Sequence, residues 1–290
     1  MNHFLHDCPA PAKLNLFLHV TGQRQDGYHL LQTVFQLIDF GDVLHFTVRP
    51  DSRIERTSHI DSILQEEDLA VRAAKLLQEE TFKRTGKKPG ASIVTEKKLP
   101  VGGGLGGGSS NAATALLALN HLWESGLNRQ ELMHLGLQLG ADVPFFLFGR
   151  NAFAEGVGEI LEPIDTSDGW FVVIYPGISV STRTIFESKE LTRNTEKIKI
   201  TDFPVSFTER ARFGKNDLQY VTGKLYPSVA SVIEWLDGYG YARMTGSGSC
   251  VFAHFESEEE ADEVINRMPK SWKSWKARGL RKHPLDFLHK

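Results

Sequence analysis

The sequence predicts an α+β chain built as two sheet-and-helix layers in each of two domains. Three features carry that expectation. β-like apolar runs alternate with runs of helical period, glycine-centred turns join neighbouring β runs in an antiparallel manner, and a strongly β run, WFVVIYP at 170–176, restarts the pattern late in the chain. At 290 residues the chain can form one large or two modest domains, and the division is expected at 1–160 and 161–290.

The first strand is expected over 12–20, AKLNLFLHV, where Lys13 and Asn15 lie two apart and so share a face. Taken alone, a lysine there reads as a solvated strand face. Asp26-Gly27 is a turn signal, followed at once by Tyr28 and His29. Residues 31–48 read as one or two strands around Gly41, and 51–64 as a loop with a short strand. A helix is expected from Glu66 to Arg84, with Leu69, Ala73, Leu76, Leu77 and Phe82 near one face and Gly86 as its stop. A strand at 91–95 leads into Lys97 and Lys98.

Residues 98–113, KLPVGGGLGGGSSNAA, organise the chain. Six of the seven positions from Gly102 to Gly108 are glycine, interrupted by Leu105. Such a run allows positive φ and close approach of another molecule to the main chain. Ser109, Ser110 and Asn111 are all capping residues, and an apolar helix is expected behind them to about Ser125, with Gly126 as its stop. A glycine loop that feeds a helix N-terminus suits a phosphate group. It is not a P-loop, because Ser109 stands where lysine is required after Gly103 and Gly108. The dinucleotide pattern fits formally as Gly102, Gly104 and Gly107, but Pro100 breaks the tight strand-to-turn connection, and Glu124 falls near a helix end instead of on a following strand.

Asn128 and Glu131 are spaced as a capping box for a second helix to Leu139. Asp142 follows in GADVPFF, where Val, Pro and two Phe should partly desolvate it; a plain turn residue is the alternative. AFAEGVGEILEPI reads as a hairpin with Gly156 and Gly158 at its tip, GISVSTRTIFES as a loop, and 189–202 as a charged surface loop. Helices are expected at 217–220, 227–236 and 258–268. YARMTGSGSCVFAHF reads as strand, glycine turn, strand, and WKSWKA as a last strand.

Composition narrows the function classes. Hydrophobic and charged fractions of 41% and 24% are ordinary for a globular chain, and a net charge of −3 gives no support for a nucleic-acid surface. The two cysteines, Cys8 and Cys250, lack metal spacing. No stretch approaches 18 apolar residues and the amino terminus has no apolar signal core, so no membrane partner and a cytoplasmic location are expected.

Three ordered stretches carry a resemblance. PVGGGLGGGSSNAA resembles the phosphate-binding motif of the GHMP kinases, PAKLNLFLHVTGQRQDGYH (11–29) their amino-terminal motif, and MTGSGSCVFA (244–253) their carboxy-terminal glycine motif. Together with GADVPFF and AFAEGVGE, the likeness covers nearly the whole chain. It implies a ribosomal-protein-S5-like N-terminal domain and a ferredoxin-like C-terminal domain, with ATP and Mg²⁺ as cofactors. In the branch most resembled, the acceptor is the 2-hydroxyl of a cytidine diphosphate-linked polyol of the non-mevalonate isoprenoid pathway.

The resemblance also implies roles. Asp142 is the expected general base and Lys13 its charge-balancing partner. Asn15 would orient the polyol, Tyr28 and Phe186 would stack on the base, His29 would read its edge, and Thr182 would contact substrate. Lys97, Pro100, Val101, Gly102, Gly103, Gly104, Leu105, Gly106, Gly107, Gly108, Ser109 and Ser110 would hold the nucleotide. Asp68 stands near the adenosine position where an asparagine is expected, which replaces a donor and acceptor by an acceptor alone. The Mg²⁺ ligands stay open among Ser109, Ser110 and Glu155. Rival readings are a homoserine or mevalonate kinase, a nicotinamide oxidoreductase and a non-catalytic RNA-binding module. Tyr28, His29 and Phe186 favour a nucleobase-bearing substrate over homoserine or mevalonate.

Overall fold

The structure, a computed structural model, describes residues 3–61, 63–166 and 169–288. Two long strands, β1 (Phe4–Gln23) and β2 (His29–Arg49), form an antiparallel hairpin. Then come β3 (Ile54–Arg56), α1 (Leu69–Thr85), β4 (Gly90–Glu96), α2 (Gly107–Leu122), α3 (Arg129–Leu137), α4 (Val143–Phe148), β5 (Ala152–Glu155) and β6 (Ile160–Pro163). The later part holds β7 (Trp170–Tyr175), α5 (Thr182–Glu187), α6 (Phe207–Arg212), α7 (Gln219–Leu225) and α8 (Pro227–Asp237). It ends with β8 (Arg243–Met244), β9 (Val251–Phe255), α9 (Glu258–Arg267) and β10 (Lys273–Leu280). The sheet path is β3-β4-β2-β10-β7-β9-β8, with β1 and β5 also on β2 and β6 on β5. All these pairs are antiparallel except β3 with β4.

The expected α+β alternation is present, and the differences are local. Of the one or two strands expected over 31–48 there is one, and its register with β1 shifts beside Gly41, where a side chain would overlap the backbone of Ala10. The helix expected from Glu66 begins at Leu69, capped by Asp68, whose carboxylate accepts from Ala70 N at 2.8 Å. Its buried residues include Ala70, Val71, Ala73, Ala74, Leu77 and Thr81, and Phe82, one position past Thr81, is exposed. Ser109, Ser110 and Asn111 do not cap α2. Gly106, at φ +72°, is the cap residue, and the three polar residues lie inside the first turn. The stretch 177–188 is not all loop: Ser181 accepts from Thr184 N and opens α5. Asn128 and Glu131 do form the expected capping box.

Three apolar clusters hold the layers. One packs α1, α2 and α4 on β2 and β4, with Phe35, Phe46, Leu77, Leu116 and Phe145 at its centre. α2 is apolar on nearly every side because it is buried between α1 and the sheet. A second packs α8 and α9 on β7 and β9 through Val172, Val232, Leu236, Val251 and Val264. The third lies between them and joins β1 and β2 (Leu14, Phe17, Val34, Ile38) to β7, β9 and β10 (Phe171, Phe252, Ala277). Leu285 returns to the first cluster. Cys8 and Cys250 are buried free thiols, and burial raises the pKa of both, that of Cys8 to about 11.

His254 on β9 stacks on Phe171, 4.2 Å between ring centres and 2° from parallel, and also meets Phe207. Burial, then the charge of Arg210, lowers its pKa to about 3. An imidazole kept neutral in the fold but titrating near 6.5 when unfolded makes the unfolded chain the better proton binder. Its contribution is therefore full above pH 6.5 and is lost as pH falls toward 3. Urea unfolding should lose roughly 2 kcal/mol more between pH 7 and pH 5 in the parent than in His254→Gln. Equal losses would contradict this.

Candidate active site

The floor of the main cleft comes from alternation on the two long strands. Leu31, Thr33 and Phe35 of β2 point into it, as do Lys13 and Asn15 of β1. A register shift after Asn15 lets Leu18 continue that row, while Phe17 turns into the third apolar cluster. The cleft has a volume of about 710 Å³. Its walls are the glycine loop, the start of α1, Asp142, α5 and the turn between β8 and β9.

Several of the glycines are there because other chain, backbone or side chain, occupies the space a side chain would need. A β-carbon on Gly104, at φ +78°, would overlap Thr245 O, and one on Gly106 would sit about 3.1 Å from Lys13 Cγ and the Phe146 ring. Leu105 interrupts the run for a separate reason. Its side chain is buried in the third cluster, and its carbonyl accepts from Lys13 N at 3.0 Å, which ties the loop to β1. The β8–β9 turn clasps the loop from the other side, where Cys250 N donates to Gly103 O at 3.0 Å.

Lys13 is almost fully buried. Its ammonium donates to Asn15 Oδ1 at 2.6 Å, lies 3.4 Å from Asp142 Oδ2 and stands 5.1 Å from the centre of the Phe35 ring. Asp142 occupies the N-cap position of α4, yet its side chain makes no capping bond, so the carboxylate is left to face Lys13. It is about one-third exposed, at 34%. Asn15 uses both ends of its amide. Oδ1 also accepts from Gly246 N at 2.9 Å, and Nδ2 donates to Thr33 Oγ1 at 2.9 Å. Thr33 in turn donates to Phe17 O.

At the start of the glycine loop, Asp42 carries an arrangement that sequence reasoning missed. Oδ1 accepts from Lys98 N (2.7 Å) and Leu99 N (2.8 Å), while Oδ2 accepts from Lys97 Nζ (2.6 Å) and Asn111 Nδ2 (3.0 Å). One buried carboxylate thus holds both ends of the loop and one cation of the cleft. Its signal in the sequence was only Asp42 beside Gly41, at a distance of more than fifty residues from its partners. Asp68 lines the cleft, but Oδ1 caps α1 and Oδ2 pairs with Arg56 at 2.8 Å, both residues being buried. The Asp-for-Asn departure therefore has a cationic partner.

On the opposite side, Thr182 and Phe186 project from α5 into the cleft, and Thr182 Oγ1 is 2.7 Å from Ser247 Oγ. Phe186 meets His29, not Tyr28: the two ring centres are 4.9 Å apart and tilted by 32°. Tyr28 sits at the exposed hairpin tip, outside the cleft lining. Ser109 lines the cleft, and Ser110 Oγ and Asn111 Oδ1 are buried without a hydrogen-bond partner in the protein. Glu155 lies away from the lining and accepts from Gln32 Nε2 at 2.8 Å. Among the described residues no group of three or more His, Cys, Asp or Glu could hold a metal ion, and no helix is long and apolar enough to cross a membrane.

Comparison with known proteins decides the family. The GHMP kinase N-terminal domain model matches residues 68–150, and the GHMP kinase C-terminal model matches 207–274. A 4-diphosphocytidyl-2-C-methyl-D-erythritol kinase of Janthinobacterium sp. (strain Marseille) is 63% identical, with 98% of each chain covered. The chain belongs to the GHMP kinases. Within them it falls in the 4-diphosphocytidyl-2-C-methyl-D-erythritol kinase branch, whose member from Herminiimonas arsenicoxydans is 61% identical over 98% of each chain. A crystal structure of a 4-(cytidine 5'-diphospho)-2C-methyl-D-erythritol kinase superposes on this GHMP kinase with a TM-score of 0.77 at 32% identity, covering 93% of this chain and 98% of that one. Homoserine kinase from Cytophaga hutchinsonii, at 16% identity and a TM-score of 0.72 over 98% and 96% of the two chains, shares the fold. The chain is therefore an ATP-using kinase of two-domain α+β architecture.

The Asp42 arrangement gives a test. Asp42→Ala leaves Lys97 without its counter-charge and two backbone donors unpaired, so unfolding free energy should fall by about 3 kcal/mol. The ATP Kd should rise about tenfold as the loop loses its anchor. Calorimetry and urea unfolding check both, and a parent-like Kd would contradict the anchoring role.

Proposed function

We propose that this kinase transfers the γ-phosphoryl group of ATP to the 2-hydroxyl of 4-diphosphocytidyl-2-C-methyl-D-erythritol. The observation that carries the reading is the buried Lys13 ammonium 3.4 Å from the Asp142 carboxylate, at the meeting point of the glycine loop and the β8–β9 turn. The name and near-complete coverage of the relatives support the substrate.

Phosphoryl transfer asks chiefly for positioning and charge neutralisation. The main-chain N–H groups of the glycine loop and of the first turn of α2 cradle the nucleotide phosphates, and Lys97 lies beside them. The acceptor hydroxyl lies against Asp142, which takes its proton as phosphorus–oxygen bonding develops. Lys13, held in place by Asn15, offsets charge on the transferring group. Asn15 retains one amide hydrogen for the polyol, because only one of its two is used by Thr33. Phe186 stacks on the cytosine, His29 meets its edge, Tyr28 closes over it from the hairpin tip, and Thr182 contacts the polyol side.

Ser109 and Ser110 fit a Mg²⁺ ion, since Ser110 Oγ is a buried oxygen with no protein partner at the start of α2. Mg²⁺ commonly takes most of its ligands from phosphate and water, so a protein-only cage is not required. When bound, the ion supplies charge neutralisation between the phosphates. Glu155 does not fit, because its carboxylate is engaged by Gln32 away from the cleft. We also propose a division near residue 160, with 1–160 carrying the nucleotide side and 161–290 the substrate side. Residues 283–288 return to the first half, as the Arg129–Asp286 pair at 2.6 Å illustrates.

The test is ADP release with Mg²⁺-ATP and each of three alcohols: 4-diphosphocytidyl-2-C-methyl-D-erythritol, homoserine and mevalonate. Turnover confined to the first is expected. Turnover with another alone keeps Lys13, Asp142 and the glycine loop but removes the base pocket. Phe186→Ala should raise the KM for the cytidine substrate roughly tenfold, with the KM for ATP within about twofold. An equal rise in both would remove the stacking role.

A further inference from the structure

Arg193 belongs to the charged segment between α5 and α6, the stretch with the least evident purpose in the sequence. Its guanidinium has five N–H donors in a fixed plane and no acceptor. Nη2 donates to Phe186 O (2.9 Å) and Ser188 O (2.8 Å), and Nη1 to Leu191 O (3.1 Å). These bonds fasten the end of α5 and the chain that follows it. Nε donates to His29 Nε2 at 3.0 Å. One side chain therefore bonds the His29 ring and the backbone of Phe186, the two residues of the tilted ring pair.

The last bond has a chemical consequence. Arginine can only donate, so His29 Nε2 must accept and the single proton of the neutral ring must sit on Nδ1. Among the described residues Nδ1 has no hydrogen-bond partner, and the ring that carries this N–H packs on Phe186, which lines the cleft. Burial, and then the charge of Arg193, also lower the His29 pKa, which keeps the ring in that neutral form.

We propose that Arg193 is a specificity-determining positioning residue: by locking His29 as an Nδ1–H donor, it makes the pocket select cytosine over uracil. A donor facing ring position N3 pairs with cytosine, where N3 is an acceptor, and is opposed by uracil, where N3 carries a hydrogen. The selection rests on the cytidine substrate proposed above, whereas the tautomer belongs to the free enzyme.

The experiment has two parts. Long-range ¹⁵N–¹H spectra of the histidine-labelled free enzyme should show the His29 proton on Nδ1; a proton on Nε2 overturns the proposal. kcat/KM is then compared for 4-diphosphocytidyl-2-C-methyl-D-erythritol and its uridine counterpart. The parent should prefer cytidine, Arg193→Met should lose about tenfold of that preference, and the KM for ATP should move less than about twofold. Arg193→Lys retains an obligatory donor and should keep the preference within about threefold. Equal losses on both bases in both variants would leave Arg193 a purely structural role and overturn its part in selection. If the parent turns over neither substrate, the proposed function fails, and the tautomer in the free enzyme still decides whether Arg193 sets His29.

Discussion

The cleft depends on one amide, that of Asn15. Its oxygen accepts from Lys13 of the same strand and from Gly246 of the β8–β9 turn, and its nitrogen donates to Thr33 of β2. Three parts of the chain far apart in sequence are thereby held at one point. A carboxylate there could not donate to Thr33, and an apolar residue would take from the buried Lys13 ammonium its shortest hydrogen bond. The register shift that follows Asn15 is equally necessary, because it allows β1 to keep facing the cleft while Phe17 enters the core.

Two cation–carboxylate pairs frame the nucleotide region, and their exposure separates their parts. Asp42 is fully buried and accepts four hydrogen bonds, so it serves as a fixed post for the glycine loop. Asp142 is one-third exposed, leaves its helix uncapped and touches Lys13 at the longer distance of 3.4 Å. It therefore has free acceptor capacity toward the cleft. One carboxylate is saturated and the other open, each beside a lysine, and the proposed role of Asp142 rests on that contrast.

Much of this was legible in the sequence, and the remainder was hidden for physical reasons. The Lys13–Asn15 spacing, the Asn128–Glu131 capping box and the hairpin with Gly156 and Gly158 at its tip are local signals, and these have the expected local form. Asp42, and Arg193 toward His29, act through partners dozens of residues away, and Thr33 and Arg56 through partners on other elements, so no period or spacing marks them. The start of α2 was misplaced because serines are good caps in isolation, whereas here a positive-φ glycine makes the turn and the serines are drawn into the helix. The family resemblance implies Tyr28 and Phe186 as a stacking pair; the fold brings His29 against Phe186 and places Tyr28 at an exposed tip.

The central claim is that Asp142 and Lys13 act together on the acceptor hydroxyl within a frame that exists before substrate binds. Single-turnover phosphoryl transfer by Asp142→Asn, with the Kd of ATP and of the cytidine substrate measured on the same protein, tests it most directly. The account predicts both Kd values within about threefold of the parent and a transfer rate lower by at least about a hundredfold. A transfer rate close to the parent's, with binding intact, would contradict it.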